Sequence, residues 1–419
     1  MGIQAEVISI GDELLIGQVV NSNQAYIASQ LNTVGVFVDT MTTVGDSETA
    51  ILDAFQKALE THDIVTVTGG LGPTHDDITR AAVCKFFKTE LVVNQEALDN
   101  ITQRFAKRNI ALIKRNEEQA LVPRGCTVIQ NHFGTAPGYL FERDKKYLIV
   151  MPGVPGEMKG MIDEFVVPYF ADKVTGVCIV HRTLKTTGIA ESLLAEQIGD
   201  VQDLFSENSG ATLAYLPSAM GVRLRITVRA TSRKGAEQYV HDIEAKIRSK
   251  AERYIYGTDT EELEHIVGKL LTERKFTISV AESCTGGLIA DRLTNVSGSS
   301  NYFERAITTY SNESKIAELG VPVSFIELHG AVSREVAEAM AFGVRSKSNT
   351  DMGLSTTGIA GPTGGTVEKP VGLVWIGFSD RHQTNAVRFN FASDRRSFKE
   401  RSSQAALDLV RRKLLKIES

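Results

Sequence analysis

A serine and a cysteine stand side by side in the segment VAESCTGG, residues 280–287. The apolar run FTISV comes before it and the helix-like run LIADRL follows, so the sequence predicts a strand, a tight turn and a helix. Such a unit places the turn at the carboxyl end of a strand, where α/β sheets bind ligands. We expect Gly286 and Gly287 to let the backbone approach a ligand and to offer N–H groups to an oxyanion.

Either Ser283 or Cys284 could act as a nucleophile, but each would need a base. The segment ITTYSNESKIAELG places Tyr310 and Lys315 five residues apart across a predicted strand-to-helix junction. A lysine that is removed from water loses pKa and can serve as the base of a serine nucleophile, while a nearby phenol could relay a proton. We therefore predict that Ser283 is the nucleophile and that Cys284 packs beside it, facing the other way. The alternative is that Ser283 only caps the following helix.

A glycine-rich loop, STTGIAGPTGGTVEKPVG, follows the apolar run DMGL. Its position after a second strand predicts a shaped ligand loop, in which Thr356, Thr357 and Gly358 contact a phosphate or a ribose. The alternative is a plain connection between two strands.

Another glycine-rich turn ends the apolar strand in VTVTGGLGPTHDDIT, residues 65–79. Successive backbone N–H groups in such a turn suit a phosphate. We expect Gly69, Gly70, Gly72 and Thr74 to contact a substrate there.

Carboxylates follow the predicted strands at this same edge of the sheet, because the carboxyl ends of parallel strands lie together. Asp12 and Glu13 follow the first strand and Asp46 the second, while Glu157 in MPGVPGEM begins a helix and is expected to contact substrate. Carboxylates beside a phosphate loop suit a divalent cation that bridges to a diphosphate. Asp76 and Asp77 follow the glycine-rich turn, and their alternative role is to cap the next helix. The predicted metal ligands are Asp12, Asp46, Asp76 and Asp77.

Strand and helix patterns alternate along the first 170 residues, which predicts a parallel sheet with helices on both faces. We expect Ser22 to cap its first helix. Residues 171–257 follow a β-α-β-β-α order, a small split βαβ module. Residues 258–419 form a third segment, whose first helix would be capped by Thr258 or Thr260 and a later one by Ser333.

Bulk composition limits the possible functions of the 419-residue chain. Its net charge is −5 with scattered basic residues, so we expect no direct contact with nucleic acid. Four cysteines without metal-ligand spacing fit a reducing cytoplasm. No apolar run approaches the roughly 20 residues that span a bilayer, and no secretory signal begins the chain, so no membrane partner is expected.

Several motifs together resemble the competence/damage-inducible CinA family across essentially the whole chain. The segments AESCTGG, TYSNESK, HGAVS and GIAGPTGG…KPVG resemble its carboxy-terminal domain. The segments GDELLIG…NSN, VGD, VTGGLGPTHDDIT and MPGVPGEM resemble its amino-terminal domain. The resemblance implies an α/β fold with three parts. These are a molybdopterin-binding-like three-layer domain (1–170), a small α+β middle module (171–257) and a CinA deamidase domain (258–419).

For the carboxy-terminal domain, the resemblance implies a nicotinamide mononucleotide deamidase that needs no cofactor. Its catalytic set would be Ser283, Tyr310 and Lys315. The family pattern Phe-x-Gly-Asp-Arg reads FASDR here, with Ser393 in place of glycine. We expect a serine there to tighten the turn and to weaken the grip of Arg395 on a phosphate. The substrate contacts implied are Gly286, Gly298, Ser300, Thr357, Gly358 and Arg395.

For the amino-terminal domain, the resemblance implies ADP-ribose hydrolysis to AMP and ribose 5-phosphate with a divalent metal ion, in a homodimer. The ligands would thus be two small nucleotides, nicotinamide mononucleotide and ADP-ribose. One alternative is that the amino-terminal domain binds a pterin or nucleotide without turnover. Another is a non-enzymatic adaptor in DNA uptake or the damage response, against which the acidic net charge counts.

Overall fold

The computed structural model describes residues 3–74, 77–107, 109–171, 173–174, 178–206 and 210–417. The chain forms two compact units. The first comprises Met1–Val180 with Arg229–Gln238, and the second comprises His181–Val228 with Tyr239–Ser419. None of the helices in the described ranges is long and apolar enough to cross a membrane.

The first unit is built on a six-stranded sheet in the order β2-β1-β3-β8-β7-β6. Strands β2, β1, β3 and β8 pair in parallel, and β7 and β6 complete the sheet in antiparallel pairs. This confirms the parallel sheet expected from sequence. Its elements in chain order are β1 (Gln4–Ile10), α1 (Asp12–Leu15), α2 (Ser22–Thr33), β2 (Phe37–Val44), α3 (Glu48–Thr61), β3 (Ile64–Thr68), α4 (Thr79–Phe87), β4 (Leu91–Val93), α5 (Gln95–Lys107), α6 (Lys114–Glu117), β5 (Leu121–Pro123), β6 (Thr127–Ile129), β7 (Gly138–Arg143), β8 (Lys146–Met151), α7 (Pro155–Met161) and α8 (Val167–Ala171).

Two hydrophobic cores cover the two faces of this sheet, because successive strand residues point to opposite sides. Ile8 packs on one face with Phe55 of α3. Val7 packs on the other with Leu31 of α2. The result is the three-layer arrangement of helix, sheet and helix.

The cap of α2 is Asn21 and not Ser22, which is a correction to the sequence prediction. The side chain of Asn21 accepts a hydrogen bond from the N–H of Gln24 at 3.3 Å, and Ser22 is the first helical residue. In the run Asn-Ser-Asn every side chain can cap a helix, so composition alone does not choose among them.

The middle module has a four-stranded sheet in the order β10-β11-β9-β12. The β-α-β-β-α order is as predicted, and one more strand follows it. That strand ends at Thr258, which therefore does not cap the next helix; Glu262 takes the cap position. The elements are β9 (Cys178–Thr186), α9 (Glu191–Ile198), β10 (Ala211–Ser218), β11 (Gly221–Ala230), α10 (Arg233–Ala251) and β12 (Ile255–Thr258).

The last part of the chain is a five-stranded sheet in the order β14-β13-β15-β16-β17. Strand β13 pairs in parallel with β14 and β15, so the carboxyl ends of these three strands share one edge. Ser333 caps α15 through the N–H of Val336, as predicted. The elements are α11 (Leu263–Arg274), β13 (Ile278–Glu282), α12 (Leu288–Thr294), β14 (Phe303–Thr308), α13 (Asn312–Leu319), α14 (Val323–His329), α15 (Arg334–Ser348), β15 (Met352–Gly358), β16 (Leu373–Ser379), β17 (Thr384–Asn390) and α16 (Arg395–Leu415).

Candidate active site

Ser283 is the first residue after β13, at the edge where the parallel strands end. Its N–H donates to the carbonyl of Thr356 at 3.0 Å, so the pairing of β13 with β15 continues through it. The chain then turns sharply, with φ of 60° at Gly286 and 93° at Gly287, a region that favours glycine. Ser283 is buried, and its hydroxyl contacts one residue of α13.

That contact is Lys315, whose side chain is only 2% exposed. Its Nζ lies 3.2 Å from the Oγ of Ser283 and donates to the carbonyl of Thr309 at 2.9 Å. Within the described part of the chain it forms no salt bridge. Desolvation lowers the pKa of the Lys315 amine, against opposing effects of Cys284 and Glu313. A buried amine with a lowered pKa beside a serine hydroxyl has the features of a general base.

Cys284 packs in the hydrophobic core below the turn. Its burial raises the pKa of the thiol to about 12. A thiol is reactive as the thiolate, so at neutral pH this group is inert. The geometry agrees with the prediction that Cys284 is a packed neighbour.

The side chain of Glu282 caps α12, a role that sequence reasoning missed. This fully buried carboxylate accepts from the N–H groups of Gly287 at 2.9 Å, Ile289 at 3.2 Å and Ala290 at 2.9 Å. Gly287 occupies the cap position, and the carboxylate of Glu282, not the hydroxyl of Ser283, accepts from the first N–H groups of the helix. The cue for it was a carboxylate just before a glycine-rich helix start.

The predicted oxyanion donors are wrong for the same reason. The N–H of Gly287 is used by Glu282, and that of Gly286 donates to the carbonyl of Ser283 at 3.2 Å. The neighbouring N–H groups of Cys284 and Thr285 find no acceptor among the residues described. These two N–H groups directly follow the serine in the chain, a common position for the donors that stabilise an oxyanion.

Tyr310 lies at the rim of the site with 64% of its surface exposed. Its hydroxyl accepts from Nη2 of Arg395 at 2.8 Å, and Nη1 of Arg395 donates to the carbonyl of Gly361 at 2.9 Å. No hydrogen bond within the described ranges joins the phenol to Ser283. Tyr310 thus forms a hydrogen bond with Arg395 and does not bond to the predicted nucleophile, Ser283.

A second cation, Lys399, lies one helical turn after Arg395 on α16. The Nζ of Lys399 lies close to Gly286, because a Cβ atom added to that glycine would be 3.5 Å from it. Residues four apart share one face of a helix, so the two cations lie on the same face of α16. Sequence reasoning missed Lys399, although its spacing from Arg395 was the available cue.

The other predicted substrate contacts are structural or lie at the surface. Thr357 donates its hydroxyl to the carbonyl of Ala331 at 2.8 Å, and a Cβ on Gly358 would come within 2.7 Å of the Leu373 carbonyl. Gly298 and Ser300 are exposed and form no described hydrogen bond with the serine or the lysine. Ser393 donates to the carbonyl of Phe391 at 3.3 Å and leaves Asp394 free to cap α16.

A cavity of about 410 Å³ opens at the carboxyl edge of the sheet in the first unit. Thr74 and Asp12 are not among its lining residues, and Asp76 lies outside the described residues. The cavity is therefore lined by most of the predicted phosphate-binding loop and by some of the predicted metal ligands. The predicted residues that line it are Gly69, Gly70, Gly72, Asp46, Asp77 and Glu157, together with Glu13.

The carboxylates at this cavity are already used as acceptors for neighbouring groups. Asp12 and Asp46 each accept from the backbone N–H of the other, at 3.2 and 3.0 Å. Asp77 accepts from the N–H of Thr74 at 2.7 Å, and Glu157 from Asn131. No three or more Asp, Glu, His or Cys side chains in the described ranges are arranged to hold a metal ion. The described residues alone do not fit the expected metal centre.

Unpaired polar atoms line the same cavity, and sequence reasoning missed them. Ser9 Oγ, Asn21 Nδ2 and Asn23 Oδ1 are buried and have no hydrogen-bond partner among the described residues. Buried polar groups without partners cost free energy unless a ligand or water satisfies them. The cue in the sequence was the Asn-Ser-Asn run after the first strand.

Comparison with protein families divides the chain into three matched ranges. Residues 260–414 match the model described as "CinA C-terminal domain". Residues 181–257 match "Damage-inducible protein CinA KH domain", and residues 6–172 match "Probable molybdopterin binding domain". The chain is thus similar to known families over almost its whole length.

Individual relatives match from end to end. A competence-damage inducible protein of Caldicellulosiruptor saccharolyticus is 44% identical over 413 residues, which is 99% of this chain and 100% of the relative. A CinA-like protein of Kosmotoga olearia is 42% identical over 413 residues, 99% of both chains. The solved structure of CinA from Thermoplasma acidophilum is 36% identical and covers 39% of this chain and 96% of its own, with a TM-score of 0.36.

Proposed function

The chain belongs to the CinA family of competence/damage-inducible proteins, and we propose that its carboxy-terminal domain is a nicotinamide mononucleotide amidase. The reaction hydrolyses the carboxamide of the nucleotide to nicotinate mononucleotide and ammonia. The observation that carries this proposal is the 3.2 Å contact between the buried amine of Lys315 and the hydroxyl of Ser283. A serine paired with a neutral lysine suits attack on an unactivated amide.

The first step is attack of Ser283 Oγ on the amide carbon while Lys315 takes the hydroxyl proton. A neutral amine has two N–H donors and one lone pair. The carbonyl of Thr309 at 2.9 Å takes one donor, and the more distant carbonyls of Tyr310 and Ser311 take the other. The lone pair is then directed to the serine proton.

The N–H groups of Cys284 and Thr285 hold the negative oxygen of the tetrahedral intermediate. Each such preorganised donor typically stabilises the transition state by about 3 kcal/mol. Protonated Lys315 then gives its proton to the leaving nitrogen, and ammonia departs. Water attacks the resulting ester with Lys315 again as base, which releases the acid and restores the serine.

Arg395 and Lys399 hold the phosphate of the nucleotide at the opposite side of the turn. Arg395 suits this role because a guanidinium binds phosphate through two parallel N–H donors. Tyr310 keeps the guanidinium in position through the 2.8 Å hydrogen bond to its hydroxyl. A substrate with both an amide and a phosphate therefore spans from Ser283 to α16.

The test is ammonia release from nicotinamide mononucleotide by the full-length protein, with the acid product identified by mass spectrometry. The matched control is Ser283→Ala in the same assay. Ammonia and nicotinate mononucleotide in equal amounts, absent from the control, are the expected result. No release by the wild-type chain, or equal release by the control, would overturn the proposal.

For the amino-terminal domain we propose binding of a nucleotide or pterin in the 410 Å³ cavity, with the glycine turn at Gly69 and Gly70 on its phosphate. The unpaired atoms of Ser9, Asn21 and Asn23 support a polar ligand there. Hydrolysis of ADP-ribose to AMP and ribose 5-phosphate remains a prediction, since the described carboxylates form no three-ligand metal site.

Product analysis separates a hydrolase from a binding domain. ADP-ribose is incubated with the full-length protein and Mg²⁺ or Mn²⁺, and AMP is measured by chromatography. AMP formation that is lost in Asp77→Asn and kept in Ser283→Ala supports hydrolysis. Calorimetric binding of ADP-ribose without AMP supports a binding domain, and neither binding nor turnover contradicts both.

A further inference from the structure

A second cavity of about 590 Å³ lies within the second unit, between the middle module and α16. Its walls are residues 187–191, the turn between β10 and β11 (217–222), the end of β17 and the second half of α16. None of Ser283, Tyr310, Lys315 or Arg395 lines it. Its volume falls in the range of sites that bind small organic ligands, about 300–1,000 Å³.

Two aromatic rings form one side of this cavity. Phe389 and Phe391 are both half-buried, with ring centroids 5.6 Å apart and planes within 17° of each other. Val387 and Leu409 extend the same apolar wall. Two nearly parallel, stacked rings present an aromatic face against which a planar ring of a ligand can stack.

The polar side of the cavity carries an excess of positive charge. Three cations line it, Arg401, Arg412 and Lys413, against two carboxylates, Glu191 and Asp408. Asp408 is already paired with Arg411 at 2.8 Å and with Arg412 at 3.5 Å. Arg401 is half-buried, and no hydrogen bond or salt bridge to it is found among the described residues. Its Nε is fully buried and has no acceptor. A guanidinium removed from water without an acceptor is costly, so an anion there would be favoured.

We propose that this cavity is a binding site for a small molecule that joins a flat aromatic ring to an anionic group. The ring stacks on Phe389 and Phe391, and the anion pairs with Arg401. A carboxylate, a sulfonate or a phosphate would meet the same requirement. Both an aromatic acid and a mononucleotide have this chemistry.

The test uses the aromatic sulfonate 8-anilinonaphthalene-1-sulfonate as probe with the full-length protein, by calorimetry. Ala405→Trp fills the cavity from α16, and Arg401→Gln removes the unpaired charge. Arg396→Gln is the matched control, because it lies on the same helix with its side chain 90% exposed and outside the cavity. Thermal unfolding of each variant checks that it is folded.

We expect Ala405→Trp to lose one equivalent of bound probe and Arg401→Gln to bind it at least about tenfold more weakly, as for loss of one charge-assisted contact. Arg396→Gln should bind as the wild type does. Displacement of the probe by AMP but not by benzoate identifies a phosphate ligand, and the reverse identifies an aromatic acid. Probe binding that is unchanged in Arg401→Gln and in Ala405→Trp, or absent from the wild type, overturns the proposal.

Discussion

The amine of Lys315 lies 3.2 Å from the hydroxyl of Ser283, although 32 positions separate them in the chain. Strand pairing accounts for this contact. Glu282 at the end of β13 is in register with Thr308 at the end of β14, so the two loops that follow start side by side. The helix α13 begins four residues later and turns Lys315 back toward the serine. The sheet thus brings the two loops together, and the carbonyls of Thr309, Tyr310 and Ser311 in the second loop hold the Lys315 amine beside the serine.

Ser283→Ala should abolish ammonia release, while Cys284→Ala should keep most of it. The serine has the base beside it, whereas the thiol is buried with its pKa raised to about 12. Removing a nucleophile typically costs several orders of magnitude in kcat. The measurement is kcat for both variants, with unfolding curves to show that each is folded. A similar loss of activity in two folded variants would mean that the serine is not the nucleophile.

The amidase activity should rise with pH until Lys315 is neutral. Because burial lowers its pKa, the midpoint of kcat/KM should fall below the usual lysine value of 10.5. Lys315→Arg should be inactive throughout, since a guanidinium stays protonated. The pH profile of kcat/KM measures both. A flat profile, or an active arginine variant, would exclude Lys315 as the base.

The same lowered pKa makes a prediction about stability. Burial makes the charged form of Lys315 unfavourable in the folded protein, which lowers the free energy of unfolding. This loss is complete at pH values below the folded pKa and disappears above the unfolded pKa. Relative to the wild type, Lys315→Met should therefore be more stable at pH 6 than at pH 10. The full penalty at low pH is about 1.4 kcal/mol for each unit by which the pKa is lowered, and most but not all of it is relieved at pH 10, just below the unfolded value of 10.5. Urea unfolding at both pH values measures it.

The control for that experiment is Lys269→Met, which replaces an exposed lysine on α11. Its effect on the free energy of unfolding should be the same at pH 6 and pH 10. If Lys315→Met behaves in the same way, the amine does not titrate with a lowered pKa.

Glu282→Gln should weaken both the fold and the reaction. An amide NH₂ would then face the N–H groups of Gly287, Ile289 and Ala290, which the carboxylate now satisfies. We expect a loss of about 1–3 kcal/mol in the free energy of unfolding. The turn that carries Ser283 would shift, so kcat should fall at least about tenfold. Glu304→Gln, at an exposed position on β14, is the control and should change neither quantity.

Arg395→Gln should raise KM for nicotinamide mononucleotide about tenfold or more, because it removes a charge-assisted contact with the phosphate. Nicotinamide riboside lacks that phosphate, so its turnover should not change. The adjacent Arg396→Gln, whose side chain is 90% exposed, should leave KM unaltered. An equal effect of Arg395→Gln on both substrates would place the arginine away from the phosphate.

The order of the elements could be predicted because alternating apolar residues reveal the two faces of a sheet. Val7 and Ile8, for example, lie in different cores. The ends of helices were less predictable. Asn21, Ser22 and Asn23 all have side chains that can cap, and only the path of the backbone decides among them. Thr258 failed as a cap because a strand, which the sequence pattern did not reveal, continues up to it.

Ser283 could be predicted because it directly follows a strand in the sequence, and Lys315 because it lies just beyond the strand-to-helix junction after the next strand. Glu282 could not, since its role depends on the buried carboxylate turning back over the next helix. Lys399 required knowing which face of α16 meets Gly286, more than a hundred positions earlier. The choice of N–H donors for the oxyanion failed because the acceptors that occupy them are set by tertiary structure.

Helix α16 begins with Arg395 at the amide site and runs on past Arg401 and Lys413 in the second cavity. At 1.5 Å per residue its 21 residues extend for about 32 Å. A ligand bound against its later turns would lie on the same helix as Arg395 without occupying the cleft beside Ser283. Inhibitor screens that monitor only competition with substrate would overlook such compounds.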